Sequence, residues 1–106
     1  MINLKTNIMK EFIGKQVIVR ANSAGVFFGT LKSKEGDSVV LTKARKIWYW
    51  DGACSVEQLA VDGTSKPDQC KFTVVVDNIG IEKVLQTIPC TKKAINSLTE
   101  VAVWKQ

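Results

Sequence analysis

The sequence predicts a mainly β (α+β) fold, a small antiparallel β-sheet or barrel-like domain with a short N-terminal helix and two short helices in the second half. Three observations predict it. Between Gln16 and Tyr49, β-branched and aromatic stretches are broken by Asn22-Ser23-Ala24-Gly25 and Lys34-Glu35-Gly36-Asp37, the pattern of strands joined by tight turns. Helix start signals stand at Thr6 or Asn7, at Ser55 and at Thr91. A chain of 106 residues supports one modest core and not two, so residues 1–106 read as a single domain.

In chain order, Ile8, Met9, Phe12 and Ile13 recur at helical spacing behind the Thr6 or Asn7 cap, and Gly14 ends the turn. Such a helix is too short to persist alone and must dock its Ile8 and Phe12 side on the body of the domain or on a second subunit. A strand over Gln16–Ala21 turns through Asn22–Gly25 into a second over Val26–Ser33. A polar turn with Gly36 leads to a third from Ser38 to Tyr49, completing a meander. Strict alternation along the third places Val39, Leu41, Lys43, Arg45, Ile47 and Tyr49 on one face and Val40, Thr42, Ala44, Lys46, Trp48 and Trp50 on the other. Asp51-Gly52 turns the chain, and Ser55 with Gln58 forms a capping box for a helix over 56–61. A loop over 62–69 follows, then strands over 71–76 and 79–88 joined by a turn at Asp77-Asn78. Pro89 closes the second of these, Thr91 caps a helix over 92–98, and Val101 to Trp104 alternates like an edge strand.

Composition removes much of enzymology. With no histidine, every Ser-His-Asp or Cys-His arrangement and every histidine-bearing zinc site is excluded. Cys54, Cys70 and Cys90 form no CxxC pair and read as reduced, partly buried thiols. The carboxylates are dispersed, with no pair suited to metal or glycosidic chemistry, so the expectation is a protein that is not an enzyme, with no catalytic residues, metal or cofactor. No apolar run reaches the roughly 18 residues a membrane span needs, and no secretory leader pattern is present, which points to a cytoplasmic address. Fifteen Lys and Arg against ten Asp and Glu give a net charge of +5, an attraction for anions that names none of them.

Two constellations could recognise such an anion. In Lys43-Ala44-Arg45-Lys46-Ile47-Trp48-Tyr49-Trp50 three bases run directly into three aromatics, the mixture of flat faces and cations that nucleotides require. The same tryptophans would equally fill a core or a subunit interface. In Arg20-Ala21-Asn22-Ser23-Ala24-Gly25-Val26-Phe27-Phe28-Gly29 an arginine, two small polar residues and an aromatic pair surround a turn whose amides suit an anion. There too a hairpin needing Asn and Gly for geometry alone explains the residues. No Walker ending follows the Gly-x-x-x-Gly of this segment.

Ser23 to Gly29, Ala44 to Ala53, Gln58-Leu59-Ala60 and Ile88-Pro89-Cys90-Thr91 together resemble a family of small bacteriophage and prophage proteins. The resemblance extends to the Thoeris anti-defence sponges, phage proteins that sequester the cyclic ADP-ribose signal of bacterial TIR enzymes. It implies a non-catalytic homo-oligomer in the host bacterial cytoplasm, binding a small cyclic nucleotide of the glycocyclic ADP-ribose type, or cyclic oligonucleotides, and blocking host defence. Residue chemistry would then assign Phe28 and Trp48 to adenine, Arg20 and Arg45 to the pyrophosphate, and Asn22 or Ser23 to a ribose or base edge. A different class of reading fits the same strand: an Sm-like or SH3-like barrel that binds nucleic acid or a protein partner. A third makes the chain a minor virion component.

Overall fold

A computed structural model describes residues 10–106. Three strands form the meander: β1 (Gln16–Ala21), β2 (Gly25–Glu35) and β3 (Ser38–Tyr49). All pairing is antiparallel, with Ile18 opposite Phe28 and Leu31 opposite Leu41. After β3 the chain leaves the sheet for helix α1 (Val56–Asp62) and a single 3-10 turn at Pro67–Gln69, then returns as β4 (Lys71–Phe72), β5 (Val76–Ile81) and β6 (Val84–Pro89) before helix α2 (Lys92–Glu100). The strand order is β4-β3-β2-β1-β6, and β5 also pairs with β3. β3 thus carries β5 along its first half and β4 at its end.

The sheet is buried on both faces, which explains why Val17, Ile18 and Val19 of β1 are apolar in succession. Val17 and Val19 join Phe27, Leu31, Val39, Leu41, Ala44 and Ile81 in one core; Ile18 points the other way and joins Phe28, Ile47 and Phe72. That second core is roofed by Leu59 and Ala60 of α1 and by Leu98 of α2. The helices are held by the caps the sequence announces. Ser55 Oγ accepts from Gln58 N at 3.1 Å while the Gln58 carboxamide accepts from Cys54 N at 2.8 Å, and Thr91 Oγ1 accepts from Ala94 N at 3.1 Å.

Strict alternation fails along β3, because the strand carries extra residues. Lys43 has φ of 48°, and the β2–β3 register slips between Phe28 and Thr30, so Lys43 is a bulge. Past it the parity reverses: Ala44 takes the face of Val39 and Leu41, while Arg45 and Ile47 enter the helix-covered core. A second slip lies between Ile47, opposite Phe72, and Tyr49, opposite Lys71, leaving Trp48 as the extra residue.

The last strands also differ from expectation. The run over 71–76 is broken at residues 73–75: Lys71–Phe72 form β4, and Val76 opens β5, which continues straight through Asp77-Asn78, where Thr42 pairs with Asn78. An edge strand leaves polar side chains in water, so their turn preference yields to pairing with β3. The turn falls instead at Glu82-Lys83, with Lys83 at φ of 56°. Of the N-terminal helix, Thr6 to Met9 lie outside the described residues; residues 10–12 are helical and Phe12 packs on the core beneath β1 and β2. The tail meets the edge-strand expectation with one parallel bridge, Val103 to Phe72.

Gly29 marks the closest approach of β2 and β3. A Cβ there would stand 2.8 Å from Ala44 Cβ and 3.0 Å from its Cα, contacts that no flexible side chain can relieve. Gly29→Ala is expected to lower unfolding free energy by about 1–3 kcal/mol in urea titration. Gly80→Ala, whose Cβ would meet nothing within 4 Å, should change it by less than about 0.5 kcal/mol.

Candidate functional site

Arg45 is the only charged residue among the described residues that is buried, at 5% exposure. Its guanidinium is consumed by backbone. Nε donates to Thr73 O at 3.1 Å, and Nη1 donates to Val101 O at 2.8 Å and to Leu98 O at 3.5 Å. Nη2 reaches Phe72 O at 3.5 Å, and the group lies 5.1 Å from the Phe72 ring centroid. Leu98 and Val101 end α2, a helix with no basic residue of its own in the last turn, so Arg45 supplies from β3 the cation that its C-terminal carbonyls favour. Burial pulls the Arg45 pKa down from its ordinary value. The assignment of Arg45 to a pyrophosphate is therefore corrected: its donors are spent inside the protein. Phe28, at 4% exposure, is corrected likewise, because the sheet is buried on both faces: opposite Ile18 it fills the helix-covered core, while Phe27 fills the other. Arg45 and Phe28 line a pocket of about 300 Å³ with Gln16, Thr30, Lys43 and Thr99.

The other predicted residues lie apart. Arg20, exposed on β1, faces Glu57 of α1, whose carboxyl is held below the usual range first by the Gln86 amide donating at 2.9 Å, then by a backbone N–H, with Arg20 adding attraction. Asn22 and Ser23, at the β1–β2 turn, line a wide cleft of about 710 Å³ with Glu35, Glu82 and Lys83, whose charges are mixed. Burial pushes the Cys90 thiol up to about 12, and Cys54, Cys70 and Cys90 are free. Among the described residues no cluster of three His, Cys, Asp or Glu side chains gathers, and no helix is long and apolar enough to cross a membrane.

Trp48 is where exposed aromatic surface and positive charge meet. The β3 bulge turns it outward, 54% exposed, while Trp50 packs against the helix-covered core and donates to Ala53 O at 3.2 Å. The indole of Trp104, 46% exposed, stacks on Trp48 with centroids 4.9 Å apart and planes 24° from parallel. Lys71 Nζ sits 5.3 Å from the Trp48 ring and 5.5 Å from that of Trp104. Tyr49, paired with Lys71 across β3 and β4, is exposed beside them. Sequence reasoning selected Trp48 but missed Lys71 and Trp104. Their signal was weak: a lone lysine before Phe72, and a tryptophan in a tail where no core was predicted.

Residues 14–98 match the domain of unknown function DUF6948. The chain belongs to that family. The family description assigns no activity, and no curated protein matches the chain in sequence. Among solved structures it is similar to the SmAP1 heptamer of P. aerophilum, with a TM-score of 0.56 and 18% identity over 86% of this chain and 99% of that one. The likeness is one of fold: both are small, and this domain is mainly antiparallel β-sheet.

Arg45→Met removes the donors while keeping apolar bulk. It is expected to cost about 3 kcal/mol in denaturant unfolding, because buried carbonyls lose their partners. Arg45→Lys should rescue little of it, since an ammonium lacks the planar fork that reaches three segments at once.

Proposed function

We propose that this domain is an Sm-like module that binds single-stranded nucleic acid at the Trp48–Lys71 patch, beside Trp104, and acts as a ring of identical copies. The observation that carries the reading is the half-exposed indole stack under a lysine on an Sm-like barrel. Bases stack on such rings whatever their identity, and the lysine meets the phosphate that follows. Besides Trp48, sequestration of a cyclic nucleotide drew on Phe28 and Arg45, which the interior claims, and on Arg20, Asn22 and Ser23, which lie against α1 or in the cleft. The barrel reading keeps Trp48 and needs none of the other five.

Fluorescence anisotropy with labelled single-stranded RNA at several salt concentrations tests the proposal. Trp48→Ala is expected to weaken binding about tenfold or more, in line with the ~1–3 kcal/mol of one base stack. Lys71→Ala should flatten the slope of log K against log salt by about 0.7, the share of one phosphate contact to a single strand. Tight binding of a cyclic ADP-ribose isomer together with no binding of single strands would refute this reading and restore the earlier one.

Assembly is supported by the open edges. β5 and β6 each have one partner among the described strands, and both present apolar side chains to water: Val76 on β5, Val74 and Val75 just before it, and Leu85 on β6. Bare edges of this kind invite pairing with another chain. Pairing β5 of one copy with β6 of the next is heterologous and closes into a ring when the rotation permits, as the heptameric state of the SmAP1 neighbour illustrates. Light scattering is expected to give a mass several times the 11.7 kDa of one chain. The double change Val75→Lys and Leu85→Lys should return that mass to one chain with circular dichroism unchanged.

A further inference from the structure

We infer that the C-terminal tail is a built-in competitor at this patch: the Trp104 ring holds the place of a nucleobase on Trp48, and an unpaired purine of a single strand displaces it. The inference rests on the single-strand reading above and adds to it a gate and a base preference.

The tail is anchored only as far as Val101, which is buried and whose carbonyl accepts from Arg45. Beyond it, residues 102–106 are all exposed. They are held by the Trp104 N–H donating to Phe72 O at 2.8 Å, the Val103–Phe72 bridge, and the indole stack itself. Trp48 and Lys71, by contrast, are fixed by the sheet: Trp48 at a bulge of β3, and Lys71 by pairing with Tyr49. Lys71 stands almost equally far from both indoles, so it would remain over Trp48 when Trp104 leaves.

The geometry of the stack supports mimicry. A centroid separation of 4.9 Å lies in the range of offset stacking, the arrangement a base adopts on an indole. The receiving ring is bicyclic, so a purine replaces the lost overlap more fully than a pyrimidine does.

Three proteins decide the matter: the intact chain, a chain ended after Ala102, and Trp104→Ala, which keeps the tail backbone in case truncation harms folding. Each is titrated with oligoadenylate and oligouridylate RNA of about ten nucleotides by anisotropy. The exciton-coupled circular dichroism of the stacked indoles is followed in the intact protein. Both variants are expected to bind oligoadenylate about 3- to 10-fold more tightly than the intact chain, the range set by removing one aromatic stack, with a smaller gain for oligouridylate. The exciton signal of the intact protein should fall as oligoadenylate saturates it. Weaker binding by both variants would make Trp104 part of a fixed platform and overturn the proposal, as would unchanged affinity or an exciton signal that survives saturation. If no form binds either RNA, the single-strand reading fails and the competitor with it; if all bind alike, only the competitor fails.

Discussion

The guanidinium of Arg45 ties together three parts of the chain that also pack against one another in the helix-covered core. It sits on β3, reaches the carbonyls at the end of α2, and touches Thr73 and Phe72 at and beside β4. An isolated cation in that position would be costly; here carbonyl dipoles surround it and, among the described residues, no buried side-chain nitrogen or oxygen lacks a partner. Three consequences follow from the one contact. The C-terminal carbonyls of α2 are capped, Phe72 is fixed with its ring fully buried, and the chain past Val101 starts from a defined point beside β4. That last consequence brings Trp104 to Trp48.

A sheet buried on both faces leaves little freedom for a side chain to reach solvent. β3 escapes through its bulges. The first, at Lys43, reverses the parity that places Arg45 under α2; the second, at Trp48, ejects an indole that alternation would otherwise have kept within the layers. Gly29 belongs to the same device, because the strand opposite the first bulge must come within contact of Ala44 without a side chain of its own. Core and candidate site are thus two outcomes of one irregularity.

The meander, the helix caps and the mainly β class were legible because local chemistry specifies them: Asn and Gly turns, a Ser55-to-Gln58 box, a threonine before α2. What was not legible depends on parity and on distant partners. A bulge is one residue of mismatch between two strands, and no property of Lys43 or Trp48 alone announces it. Once parity is lost, Arg45 enters the helix-covered core, and Phe28 is interior because both faces of the sheet are covered, so two chemically sensible ligand residues prove to be buried. The turn at Asp77-Asn78 was misread for a related reason: its residues favour turns, but the free edge of β3 offers hydrogen bonds that outweigh the preference. Lys71 and Trp104 escaped notice because their meeting depends on Arg45, some distance from both in sequence.

An open patch constrains its own ligand. A trapped small molecule gains affinity by burying most of its surface, typically 70–90% in a closed pocket, whereas the indole pair offers ring faces and one ammonium on a convex surface. One base stack contributes about 1–3 kcal/mol, against the roughly 8 kcal/mol of a micromolar complex. Such a patch becomes effective by repetition, when one strand is held by several copies and each further contact is made at high local concentration. The unpaired edges of β5 and β6 provide a route to that repetition, and a tail that weakens each contact has its largest effect there, because a small penalty at every copy multiplies along the ring. Weak stacking, a bare sheet edge and a competing tail then belong to one mode of action: a polymer is retained by many modest contacts and an isolated nucleotide by none.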